Sequence, residues 1–205
     1  KFNSERLKNK NFLKLGEKPL CHYIFNTLSN INLINEIYVF CSDKKILNFI
    51  PKNIKFLERE KCLDENNTIG MDIYQSFISK INSDIYILCH ATSPFINELS
   101  IKTGLEKIIN DNYDSSCSCK KINTFAWYKG NPLNYTTNFI PRTQNIEPII
   151  IETSAFYAFK KEVIQNKKRI GDKHFFVDTN NIESIDIDTQ DDFNFAKIIY
   201  NFINN

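Results

Sequence analysis

Residues 84–89, Asp-Ile-Tyr-Ile-Leu-Cys, make a near-continuous apolar run between two stretches with helical spacing of apolar residues. A run of this kind reads as a strand buried on both faces, typical of a parallel sheet covered by helices. The first half of the chain repeats the alternation. Its spacing predicts helices over 19–29, 44–49, 68–81 and 97–109, and strands over 36–41, 55–57, 84–89 and 115–120. Strands alternating with helices imply a parallel α/β sheet with right-handed crossovers. An irregular stretch then runs through Trp127 and Pro132 to Gln144. It is followed by strands over 149–159, 175–177 and 183–187, a short helix over 161–165 and a closing helix over 191–202. Consecutive strands add an antiparallel edge or flap. The 205 residues are long enough for a sizeable core and read as a single domain, 1–205.

Composition narrows the function classes. A net charge of +2 gives no reason to expect nucleic acid or membrane partners. No apolar run approaches the ~20 residues that span a bilayer, and no signal peptide is visible. The six cysteines lack the C-x-x-C spacing of zinc sites. Cys41, Cys89, Cys117 and Cys119 lie in or beside strand-like runs and read as small buried thiols, so the chain is expected to be reduced and cytoplasmic. The sequence opens with Lys1 inside a functional-looking loop, and a strand is expected to precede it.

That loop, residues 1–11, holds four cations (Lys1, Arg6, Lys8, Lys10), four hydroxyl or amide side chains (Asn3, Ser4, Asn9, Asn11) and two apolar residues. A basic, hydrogen-bonding loop in front of a helix suits a polyphosphate; a solvated basic N-terminus has the same composition. Gly16 turns the chain and Pro19 sits where the helix starts. At the other end, Asp186 and Asp188 are two residues apart and share a face if extended. A like-charged pair held together needs a cation, and oxygen ligands suit Mg²⁺. The competing reading is that Asp188 and Thr189 cap the last helix. Arg142 is suited to gripping a carboxylate bidentately or is a surface arginine. His90 follows a strand and is either structural or a hydrogen-bonding group at the strand end. Trp127 reads as packing.

Taken in order, these pieces resemble the CMP-sugar synthetases, the acylneuraminate cytidylyltransferases and their relatives acting on 3-deoxy-octulosonate. Residues 1–11 resemble the family's R-x-x-S-x-R-x-P-x-K-N, and Gly16-Glu-Lys-Pro19-Leu20 its G-K-P-L. Cys41-Ser42-Asp43 resembles S-T-D, Arg59 to Leu63 resembles R-P-x-x-L, and Thr92-Ser93-Pro94-Phe95 resembles T-S-P-L-R. Arg142-Thr-Gln144 with Glu152 to Tyr157 resembles R-Q…N-G-A-x-Y. Asp186-Ile-Asp188 with Asp192-Phe193 resembles D-I-D-x-x-x-D-F. The resemblance covers the whole chain. It departs at Lys1, at Lys8 where Pro is usual, and in the absence of loop glycines. It also departs at His90, Ile96 and Thr153-Ser154, the last three on the acceptor side.

The resemblance implies a Rossmann-like three-layer α/β/α nucleotidyltransferase fold and a homodimer. It implies an enzyme that activates an acidic, sialic acid-like 3-deoxy-2-keto sugar with CTP for surface polysaccharide synthesis, giving CMP-sugar and pyrophosphate. Lys10 and Arg6 would be catalytic, with Asp186 and Asp188 holding Mg²⁺. Lys1, Asn3, Ser4, Arg6, Lys10, Asn11, Asp43, Arg59, Thr92 and Ser93 would contact the nucleotide. Arg142, Gln144 and His90 would contact the acceptor. Three alternatives stay open: a nucleotidyltransferase acting on a sugar phosphate or phosphonate, a GT-A glycosyltransferase, and a non-catalytic nucleotide-binding protein.

Overall fold

The protein's structure, a computed structural model, describes residues 6–204. In chain order the strands are β1 (Lys14–Leu15), β2 (Lys18–Pro19), β3 (Tyr38–Cys41), β4 (Lys55–Glu58), β5 (Ile85–Cys89), β6 (Ser115–Ile122), β7 (Trp127–Tyr128), β8 (Asn131–Pro132), β9 (Ile149–Lys160) and β10 (His174–Asp178). The helices are α1 (Leu20–Ser29), α2 (Gly70–Lys80), α3 (Glu98–Asn110), α4 (Lys161–Gln165) and α5 (Gln190–Asn204).

The main sheet has the order β10-β6-β9-β5, and β3 and β4 form a separate parallel pair. Alternation along the strands builds three layers. On β9, Phe156 and Ala158 join a core with Ile24, Phe25 and Leu28 of α1 and Ile101, Leu105 and Ile108 of α3. Tyr157 and Phe159 face the other way, into a core with Val163 and Ile164 of α4 and Met71, Tyr74 and Phe77 of α2. Apolar residues spaced three and four apart put each helix's buried stripe on the sheet. The same layers cover β3: Phe77 packs edge-on against Tyr38, Phe40 and Tyr86, while Val39, Ile85 and Ile87 share the α1 side. α3 sits close because residue 104 is glycine; a Cβ there would lie 2.7 Å from the Ser116 hydroxyl and 2.8 Å from the Phe156 ring. Asn97 caps α3, its side chain accepting from the Ser100 N–H at 2.8 Å.

Two expectations change. β5 packs against a core on each face, Ile85 and Ile87 on one and Tyr86 and Leu88 on the other, yet its hydrogen-bonded partner among the described residues is the antiparallel β9. Burial of both faces fixes composition and not the direction of a neighbour. β9 lies between β5 and β6, antiparallel to both, so the antiparallel strand is internal to the sheet.

The second change concerns 183–187, which forms no strand. Asn180 Oδ1 accepts from the N–H groups of Ile182 and Glu183 at 2.9 and 3.0 Å and turns the chain there. The buried Glu183 carboxylate then accepts from Ser100 Oγ at 2.7 Å, Asn97 N at 3.2 Å and Asn180 Nδ2 at 2.8 Å. It ties this turn to the start of α3. Glu183→Ala would leave the buried Ser100 hydroxyl without this acceptor and untie the turn from α3, and should lower stability by about 1–3 kcal/mol in urea unfolding. Glu183→Gln should lose less.

Candidate active site

The N-terminal loop is pinned by Leu7, which is buried with Leu15, Leu20, Ile187 and Phe193. Asn9 then takes a left-handed conformation, φ 54°, and starts a short 3₁₀ turn, Lys10–Phe12. Asparagine tolerates this geometry, so the loop turns here without a glycine. The outcome is a contact between the chain's two ends. Lys10 Nζ donates to Asp188 Oδ1 at 2.7 Å across 178 residues of sequence. Arg6 Nη1 meets Asp188 Oδ2 at 2.8 Å. The Lys10 hydrogen bond, with the charges of Lys10 and Arg6, holds the Asp188 carboxyl below the usual carboxylate range against the opposing effect of burial. Asn11 sits half-buried in the same turn. Lys1, Asn3 and Ser4 lie outside the described residues.

The choice between metal ligand and helix cap for Asp188 becomes concrete here. α5 is capped by a reciprocal pair: Thr189 Oγ1 accepts from Asp192 N at 3.2 Å, and Asp192 Oδ2 accepts from Thr189 N at 2.8 Å. Asp192 also takes the Asp188 N–H at 3.0 Å. The Asp188 carboxylate faces the two cations instead. Asp186, two residues earlier, has a buried Oδ1 with no hydrogen-bond partner. An orphaned carboxylate oxygen two residues from a second carboxylate supplies hard-oxygen donors of the kind a divalent cation takes. Among the described residues no group of three His, Cys, Asp or Glu could hold a metal. Two carboxylates suffice where substrate phosphates complete the shell.

Ile187 N donates to Thr92 O at 2.8 Å, which docks this segment at the carboxyl end of β5. His90 lies there too. Burial pushes its imidazole pKa down, opposed first by Asp186 and assisted by the positive charges of Arg169 and Lys10. The ring is therefore neutral near pH 7. Its centre lies 6.4 Å from that of Tyr157.

The remaining expected residues fall elsewhere. Ser93 is fully buried, with its hydroxyl unpartnered, so it presents no hydroxyl to solvent. Asp43 caps the 3₁₀ segment Lys44–Phe49 by accepting from Lys45 N at 2.9 Å. Arg59 is 7% exposed, pairs with Asp64, which also accepts from Ser42, and stacks over Phe40 at 5.8 Å. In this structure it knits the ends of β3 and β4 together. Arg142 and Gln144 are exposed, and among the described residues their side chains make no hydrogen bond or ion pair. Among the described residues neither makes a hydrogen bond or ion pair with Asp186 or Asp188. Ile96, at a departure from the motif, is 2% exposed in the main core. Trp127 is 56% exposed and packs edge-on against Tyr135.

Two participants had no sequence signal. Asp64 is paired with Arg59 by the local turn between them, five residues apart, and also accepts from Ser42. Arg169, within an ordinary basic triplet, reaches Glu152 and Tyr157 from the loop after α4.

Comparison with known proteins bears on the family and the fold. The family model described as cytidylyltransferase matches residues 1–201. N-acylneuraminate cytidylyltransferase A of Danio rerio is 25% identical over 92% of this chain and 46% of its own length. The chain thus spans about half of that relative, and likewise 46% of N-acylneuraminate cytidylyltransferase of Oncorhynchus mykiss, at 24% identity over 92% of this chain. Pseudaminic acid cytidylyltransferase of Campylobacter jejuni is 25% identical over 96% of this chain and 91% of its own. Among solved structures, a CMP:2-keto-3-deoxy-manno-octonic acid synthetase complexed with CTP superposes with TM-score 0.73 and 14% identity, covering 98% of this chain and 95% of that one. 4-Diphosphocytidyl-2C-methyl-D-erythritol synthase of Anaerococcus prevotii gives TM-score 0.67 at 14% identity over 93% of each chain. At such identities the two structures speak to the fold, which is the mixed α/β arrangement of nucleotidyltransferases.

Proposed function

The chain belongs to the cytidylyltransferase family, and from that premise we propose that it transfers CMP from CTP to an acidic 3-deoxy-2-keto sugar, releasing pyrophosphate. The observation that carries this reading is the meeting of Lys10 and Arg6 with Asp188, beside the unpartnered Asp186 oxygen. Two cations meet Asp188 in a segment docked through Ile187 at the carboxyl end of a sheet strand, where α/β proteins bind their ligands.

In this proposal the acceptor's anomeric hydroxyl attacks the α-phosphorus in line. The new P–O bond forms as the bond to the bridging oxygen breaks, and pyrophosphate leaves. The protein's part is positioning and charge neutralisation. Lys10 and Arg6 turn from Asp188 to the phosphates and oppose the charge growing on the leaving group. Asp186 and Asp188 would hold Mg²⁺, which when bound neutralises charge at the reacting phosphate. Asn11, with Lys1, Asn3 and Ser4, would hydrogen-bond the nucleotide. Asp43, Arg59, Thr92 and Ser93 would act on it mainly by shaping the strand-end loops. Neutral His90 would contact the acceptor and is the candidate to accept the hydroxyl proton, with the nearby Asp186 charge favouring the resulting imidazolium.

We assign the acceptor's carboxylate to Arg142, with Gln144 beside it, because Arg142 carries a guanidinium that no acid neutralises among the described residues. Arg142→Lys keeps the charge and loses the fork. It should raise the acceptor KM by about tenfold while the CTP KM holds, as steady-state kinetics would show.

The single domain over 1–205 is proposed to act as a homodimer in the cytoplasm. Trp127, Tyr128, Leu133, Phe139 and Ile140 are all more than half exposed within one short stretch, the apolar surface that a second copy would cover. No described helix is long and apolar enough to cross a membrane. The test of the activity is a pyrophosphate-release screen of four nucleoside triphosphates against eight- and nine-carbon keto acids. CTP should be strongly preferred. Equal turnover of ATP or GTP would refute the assignment.

A further inference from the structure

The turn that carries Lys10 is short and lightly held by its own backbone. Lys10–Phe12 is a single 3₁₀ turn, and the Asn9 side chain makes no cap at its start. Three residues complete such a turn, so Lys10, Asn11 and Phe12 point in three different directions. Two apolar side chains bracket Lys10 and fix the turn from either side. Leu7, upstream, is buried with Ile187 and Phe193, which flank Asp188 in the sequence. Phe12, downstream, packs against the other core, the one shared by α1 and α3. Leu7 therefore ties the loop to the carboxylate segment, and Phe12 ties it to a different part of the molecule.

The Phe12 contact is specific. Its ring centre lies 4.3 Å from that of Phe49, with the planes tilted by 39°. Phe49 ends the 3₁₀ segment Lys44–Phe49, which leaves the carboxyl end of β3 through Ser42 and the capping Asp43. Phe49 is itself held. Its carbonyl oxygen lies 2.8 Å from His22 Nε2, in the first turns of α1. A carbonyl only accepts, so that nitrogen carries a proton and donates it. The buried Ile46 side chain anchors the middle of the segment. Just beyond it, Asn53 Nδ2 donates to Ser29 Oγ at 2.8 Å, at the far end of α1. Two points on one helix thus fix where the Phe49 ring stands, and Phe12 leans on that ring. The chemistry above gives no part to His22, Phe49 or Phe12.

We propose that Phe49, held by His22, is a positioning residue for Lys10. Through Phe12 it sets the place of the turn, and it acts on the transfer only through the ammonium that the turn carries. Lys10 is then located from two sides, from the carboxylate segment by Leu7 and from the end of β3 by Phe49. This inference rests on the proposed cytidylyl transfer and on the part given there to Lys10.

The test is a double-mutant cycle, read as kcat and CTP KM for pyrophosphate release with a nine-carbon keto acid. Phe49→Ala removes the ring that Phe12 leans on. It should lower kcat by about 10-fold or more and leave the CTP KM within about twofold, because a displaced charge-stabilising group is missed in the transition state. In the Lys10→Ala background the same substitution should change kcat by less than about twofold, since the group it positions is gone. Phe49→Leu refills most of the volume and should recover most of the kcat. A residue that only supports the fold would repeat its full effect without Lys10, so that the two losses multiply, and that result would overturn the inference. A raised CTP KM that persists without Lys10 would overturn it too, by making Phe49 a nucleotide contact. If Phe49→Ala fails to fold, His22→Ala, which removes the donor to the Phe49 carbonyl, goes through the same cycle with the same two outcomes. Multiplying losses in an active protein remove this inference alone. Failure of wild type to release pyrophosphate with any acid removes the cytidylyl transfer reading and this inference with it.

Discussion

Lys10→Ala should lower kcat by about 10²-fold or more, the loss seen when one preorganised electrostatic group is removed from a transition state. The ammonium is already held at 2.7 Å from a carboxylate, in a side chain only 11% exposed. Once it has turned from Asp188 to the phosphates, a cation in a side chain of such low exposure acts through a weaker solvent screen. The same contact means that Lys10 is not the free loop cation its neighbours suggest. Removing it leaves Asp188 with Arg6 alone, so Lys10→Ala should also cost about 1–3 kcal/mol of stability. The variant should therefore be assayed well below its melting temperature. A near-normal kcat would return the loop to a solvated basic terminus.

Asp188→Asn should lose activity by about 10²-fold or more and lose most of the thermal shift that Mg²⁺ with CTP gives wild type. Asn is about as good a helix cap as Asp, and the cap here is Thr189 with Asp192 in any case. Capping therefore predicts a nearly silent substitution, whereas metal binding predicts loss in both assays. The pH dependence supplies a second check. The Asp188 pKa is lower in the folded than in the unfolded chain. Its pairing thus stabilises the fold above the unfolded value near ~4 and is lost as pH falls through the folded value. The stability difference between wild type and Asp188→Asn without ligand should narrow as pH drops below about 4.

These residues also show what a sequence carries and where it stops. The helix over 19–29 and the short helix over 161–165 are set by local apolar spacing and lie in the structure as α1 and α4. β3, β4 and β5 likewise follow their apolar runs. Local pattern has no term for strand direction, and so β9 between β5 and β6 was not legible. At 183–187 the alternation of Ile185 and Ile187 mimics a strand. Those side chains fill a core against the N-terminal hairpin instead, while Asn180 turns the backbone. The carboxylate pair and the basic loop could each be read from composition. Their contact across 178 residues could not. Arg59 and Asp64 make the opposite case: an arginine read as a ligand contact is occupied by an acid whose role appears only in three dimensions.

The most direct measurement follows the α-phosphorus itself. CTP labelled there is incubated with the protein, Mg²⁺ and an acidic 3-deoxy-2-keto sugar, and the label is traced. Cytidylyl transfer predicts the label in a CMP conjugate of the sugar acid, formed in step with one pyrophosphate and dependent on that acid. Label that stays in CTP across the whole acid panel, or leaves as free CMP whether or not acid is present, would contradict it.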